Sequence, residues 1–151
     1  MLELMREEKF MSSRRGQSLI EALAAIAVTM LVVTSLVGLG VSAIRSATVS
    51  RNRASAVSYA QEGMEAIRSI RDRGYGELSS CSGTRKVYWS GSRWECQSGA
   101  ETLDSIFTRS FTASEVNPGN PGKLQVAVQV TWTDNAGSHT MNLDSYLTNW
   151  R

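Results

Sequence analysis

Hydrophobic and polar positions divide the chain into three textures. From Ala22 to Ile44 no residue carries a charge. A helix of that length rises about 35 Å, enough to cross a hydrocarbon core of about 30 Å. From Arg45 to Arg73 helix-forming residues mix with small and polar ones, and the first proline is Pro118. Val57, Ala60, Met64 and Ile67 recur at spacings of 3, 4 and 3, the apolar stripe of a surface helix. One helix from about Ser18 to Arg73 is therefore predicted, with Gly74-Tyr75-Gly76 as its stop. Beyond Gly76 the period changes to two. Leu124, Val126, Val128, Val130 and Trp132 alternate with Gln125, Ala127, Gln129, Thr131 and Thr133, the clearest strand in the chain.

Weaker alternation completes the third texture. Residues 106–112 put Phe107 and Phe111 on one face, and 139–147 put Met141, Leu143, Ser145 and Leu147 on one side. Asp134-Asn135-Ala136-Gly137 turns one strand into the next, and Asn117-Pro118-Gly119-Asn120-Pro121-Gly122 forms a turn-rich loop. Residues 86–89 and 93–96 flank Ser90-Gly91-Ser92 as a short hairpin. Three consecutive strands and that hairpin make an antiparallel sheet with one face to cover, and the helical stripe is the natural cover. The predicted class is α+β: a long N-terminal helix, apolar first and amphipathic later, on a small antiparallel head.

At 151 residues this is one small domain plus a membrane segment. A head of about 80 residues buries a modest core and commonly needs a staple. The formal net charge of +2 makes no case for a general nucleic-acid binder. Arg6, Lys9, Arg14 and Arg15 precede the apolar run, and Arg45, Arg51 and Arg53 follow it. Basic residues therefore do not decide which way the span is inserted. An ordinary secretory signal places its apolar region before the cut. Here the apolar run follows a basic leader.

The junction between leader and span reads Arg14-Arg15-Gly16-Gln17-Ser18-Leu19-Ile20-Glu21. A carboxylate at the mouth of an uncharged run is costly at bilayer depth, roughly 2.5–3.5 kcal/mol on insertion scales. A helix-end acid in the headgroup zone, favoured by the macrodipole, is the plain alternative. The junction resembles the signature of the type IV prepilin and pseudopilin family, with Gln17 where Phe is commonest and Ser18 where Thr is common. The resemblance implies cleavage after Gly16 by a prepilin peptidase and methylation of the new N-terminus at Gln17. It also implies a role for Glu21 as partner of a neighbouring subunit's N-terminal amine during assembly. Residues 59–68 and the ending Ser145-Tyr146-Leu147-Thr148-Asn149-Trp150 look like minor pilins of the PilV type, and like the I-type pseudopilins of type II secretion.

On that resemblance the chain divides into a leader (1–16), a transmembrane and assembly helix (17–44), its amphipathic continuation (45–76) and a β head (77–151). The head would lie outside the cytoplasm, first anchored in the cytoplasmic membrane by one span, then in an extracellular or periplasmic filament. Cys81 and Cys96 are the only cysteines. In an extracytoplasmic head, two at this spacing read as one disulfide closing the loop 81–96, two unpaired thiols being the alternative.

Catalytic chemistry finds no footing. His139 is the one histidine, so any triad must use it, and at a hairpin mouth it reads as an exposed turn-flanking residue. Two cysteines and this histidine have no zinc-ligand spacing, and no phosphate loop or calcium loop is present. Neither a cofactor nor a resident metal is expected. Glu62 and Glu65 have Arg68 and Arg71 in helical register, as solvated ion pairs do. Tyr88, Trp89, Arg93 and Trp94 could stack on a partner or single-stranded DNA, but core packing is the expected use. Gly38 and Gly40 lie inside the apolar helix, where glycine permits close packing or a local weak point.

The expected function is that of a non-enzymatic filament subunit, a minor pilin, whose partners are other pilin subunits, the prepilin peptidase and the assembly platform. A type II secretion pseudopilin is the alternative within the family. A binding domain tethered by the span is the alternative from another class.

Overall fold

The computed structural model describes residues 4–116 and 122–149, with side chains from Gly16 onward. Helix α1 covers Leu4–Arg73, and a short helix α2 covers Tyr75–Ser79. Six strands follow: β1 (Arg85–Trp89), β2 (Trp94–Ser98), β3 (Glu101–Leu103), β4 (Phe107–Glu115), β5 (Lys123–Asp134) and β6 (Gly137–Thr148). The class is α+β, a long helix and an antiparallel sheet.

With no proline before Pro118, nothing removes an i→i−4 hydrogen bond from α1. It runs unbroken through Gly38 and Gly40 and ends at Arg73 as predicted. The expected stop at residues 74–76 is narrower than its three residues. Gly74 alone leaves the helix, in an extended conformation, and Tyr75 already begins α2. The start also differs, since backbone helix reaches back to Leu4.

The chain forms two units, Met1–Ala47 and Thr48–Arg151. In the first, the large apolar side chains are exposed along α1, Leu31 and Ile20 at 70% among them. The stretch Gly16–Arg73 contains an apolar window of mean hydropathy 2.4, none of it buried. By length and composition this is a candidate membrane span. Three of its hydroxyls suit such a place. Thr29, Thr34 and Ser35 donate to the carbonyls of Ala25, Met30 and Leu31 at 2.7, 2.7 and 2.8 Å, so none needs water as a partner.

In the second unit the strands pair antiparallel in the order β2-β1-β4-β5-β6, with β3 also on β4. The β4–β5 and β5–β6 ladders are long, whereas β1 meets β4 through one pair, Arg85 with Phe111. Period two decides which side of β5 faces inward: Leu124, Val126, Val128, Val130 and Trp132 are all buried. Of the expected covering stripe on α1, Ala60, Met64 and Ile67 are buried. Ala56, Gly63, Ala66 and Ile70 are buried beside them, while Val57 is only half-buried. Ala56 and Gly63 carry little hydropathy, and the expected stripe did not include them. Their small side chains are what let a helix backbone approach a sheet closely.

Cys81 and Cys96 form a disulfide across a Cα–Cα distance of 6.3 Å, tying the chain after α2 to edge strand β2. Strand β3 and helix α2 were not foreseen. The expected turn lies outside the described residues at 117–121, as does Trp150 of the C-terminal resemblance.

Candidate functional site

The junction singled out by sequence lies on the exposed surface of α1. Gly16, Gln17, Ile20, Glu21 and Ala24 line one open depression there, because residues four apart share a helix face. A Cβ at Gly16 would meet nothing within 4 Å outside the helix's own backbone, so no described side chain packs over this position. Among residues with described side chains, no cation pairs with Glu21. Beyond it the helix is uncharged as far as Ile44. The arrangement places a position without a side chain on an exposed helix face and, one turn along, a carboxylate bordering an apolar surface.

The head holds three polar or aromatic groupings, and the strongest was missed in sequence. Arg109 sits between Phe107 and Phe111 on the inward face of β4 and is 3% exposed. Its Nη2 and Nε donate to Glu101 Oε2 at 2.7 and 3.1 Å, and its Nη1 donates to the Tyr59 carbonyl at 2.8 Å. Gly63 makes room for it, since a Cβ there would lie 3.1 Å from Arg109 Cδ. The signal was present: period two places residue 109 with 107 and 111. Nearby, the Tyr59 hydroxyl donates to the Asp104 carboxylate. That bond, with desolvation second, raises the phenol above its ordinary pKa. It also steadies a turn in which Asp104 and Ser105 hold φ of 44° and 64°.

His139 is half-buried, not exposed as expected. It stacks on Trp132 with ring centroids 5.2 Å apart, and its Nε2 lies 3.0 Å from Asp134 Oδ1. The Ala136 N–H donates to the same oxygen, and Asn52 donates to the other. These bonds, that of Ala136 foremost, lower the Asp134 carboxyl below its ordinary range despite some desolvation. The group closes the β5–β6 turn against α1. Stacking on a core tryptophan explains its shelter.

The aromatic hairpin also departs from expectation. Tyr88 and Trp89 are each 50% exposed, and only Trp94 packs partly against the core. Burial along β1 ends at Val87, so the hairpin tip beyond it lies outside the core. Trp89 and Trp94 meet edge-on instead, 5.3 Å between centroids. Of the ion pairs read in helical register, Glu65–Arg68 forms. Arg71 pairs with Asp72, and Glu62 lies 3.8 Å from Arg109. Arg73 holds Glu77, which by that bond first keeps the carboxyl below its ordinary pKa. Among the described residues no three His, Cys, Asp or Glu side chains gather as a metal site.

No family model matches the chain, and neither curated proteins nor solved structures provide a match.

Proposed function

We propose that the chain is a prepilin-like subunit, cleaved after Gly16, methylated at Gln17 and assembled through its apolar helix into a type IV pilus as a minor pilin. The observation that carries this reading is the lone carboxylate of Glu21 where a basic leader meets an uncharged span. The α+β head supports it, as does the open surface around Gly16. Before assembly the span holds the subunit in the membrane with its head outside the cytoplasm. A prepilin peptidase acts on the leader side, and the assembly platform transfers the helix into a bundle of other pilin helices.

Physical chemistry gives Glu21 a selecting role in that transfer. An unpaired carboxylate in an apolar bundle is destabilising by several kcal/mol, and an ionised amine from the next subunit offsets the cost. Only docking geometries that bring the two together are then stable, so one charge specifies register.

The substitution Glu21→Gln tests this. A neutral amide costs less in lipid than a carboxylate, so membrane insertion should be unchanged or easier, and cleavage at Gly16 should persist. Incorporation into sheared filaments should nevertheless fall at least tenfold, because the amine loses its counter-charge. Normal filament yield from the fully processed variant would refute the pairing role.

A further inference from the structure

Strand β6 ends the sheet with an edge that the described residues leave unpaired along its length. The β5–β6 turn joins Asp134 and Gly137 as opposed partners, which sets the hydrogen-bonding alternation of the ladder. Odd-numbered residues of β6 bond to β5, in line with the Asn149 N–H donating to the Gly122 carbonyl at 2.8 Å just beyond. The N–H and C=O of Ser138, Thr140, Asn142, Asp144 and Tyr146 therefore point outward. Natural edges are usually blunted by lysine, proline, a bulge or a covering element. Between Gly137 and Thr148 there is no lysine, arginine or proline, and Asp144 is the only carboxylate. On the inward face Met141 and Leu143 stay half-buried while Leu147 is fully buried. The strand thus offers free backbone and unfinished apolar cover on the same side.

We infer that β6 pairs antiparallel with β6 of a second copy of this chain, about a two-fold axis at Asn142. The strand's own pattern selects the copy and the register. Outward-pointing backbone must meet outward-pointing backbone, and each side chain must stay on its face of the sheet, so even residues oppose even ones. With Asn142 opposite Asn142, Met141 of each chain lies against Leu143 of the other, completing the apolar cover twice. Thr140 falls opposite Asp144 of the second copy, where its hydroxyl can donate to the carboxylate. Moving the axis to Asp144 would set two carboxylates face to face, which is repulsive. Moving it to Leu143 would set Met141 against Ser145. The contact is isologous and closes on two chains, so it cannot by itself extend a filament. It uses only the head, and it holds or fails whether or not Gly16 is cleaved.

Cysteine crosslinking of the full chain in isolated membranes tests the pairing. Directly opposed residues of a hydrogen-bonded antiparallel pair have Cα atoms about 5.5 Å apart, within disulfide range. Asn142→Cys should therefore give a covalent homodimer under mild oxidation. Gln129→Cys, on the same face but one strand inward, should remain monomeric. Adding Thr140→Pro to Asn142→Cys removes an outward N–H that β5 does not use, and should cut the dimer yield at least fivefold. Retention of the Cys81–Cys96 bridge and of the melting temperature would show that the proline variant is folded. A monomeric Asn142→Cys, equal dimer from Gln129→Cys, a yield unaffected by folded Thr140→Pro, or crosslinking to a different protein would each overturn the inference.

Discussion

Arg109 makes an asymmetric prediction about which half of an ion pair the head can lose. The guanidinium side chain is 4% exposed and its partner Glu101 is 29% exposed. Replacing Glu101 with alanine strands a buried cation, a change that typically costs about 3–5 kcal/mol. Glu62, 3.8 Å away, recovers a part, so about 3 kcal/mol is expected. Arg109→Met keeps most of the stem's packing beside Gly63 and leaves behind a carboxylate that can hydrate. Its cost should be about 1–2 kcal/mol. The double variant should cost little more than Arg109→Met alone, a coupling of roughly 2 kcal/mol between the sites. The whole core falls within the unit Thr48–Arg151, so that fragment is suitable for urea unfolding, followed by fluorescence of buried Trp132. For a domain of this size the costlier change should lower Tm by about 12–24 °C. Equal costs for the two single variants, or additivity in the double, would mean that Arg109 is hydrated in solution and that the burial argument is wrong.

Two further outcomes follow from the head. Opening the Cys81–Cys96 disulfide by reduction, or by replacing both residues with serine, should destabilise the head by about 3 kcal/mol on a loop-closure basis; an unchanged urea midpoint would contradict it. The lowered pKa of Asp134 adds stability that is fully present above the unfolded carboxyl value of 3.8 and is lost as pH falls through the lower folded value. Asp134→Asn should therefore flatten the stability profile below about pH 4, and an acid limb of unchanged steepness would count against it.

Much of this architecture could be read from period alone, because the elements concerned are long. The alternation from Leu124 to Trp132 reappears as β5 with its five large apolar residues buried, and the glycine after Arg73 ends the helix. Elements too short to show a period escaped: β3 has three residues and α2 has five. Three of the four stripe residues, Ala60, Met64 and Ile67, were legible, and Ala56 and Gly63 escaped because they act by being small. Exposure of Tyr88 and Trp89 was not legible, since a hairpin's pattern does not say where its covering helix ends. Arg109 was half legible. Alternation placed it inward, but its carboxylate partner on β3 depends on a strand pairing that no local pattern announces.

The N-terminus of the chain recovered from sheared surface filaments tests the proposed function most directly. Mass spectrometry of that fraction should find a first residue of Gln17 carrying one added methyl group, with residues 1–16 absent. A chain starting at Met1, a cut at any other bond, or absence of the chain from filaments that otherwise form would contradict the assignment.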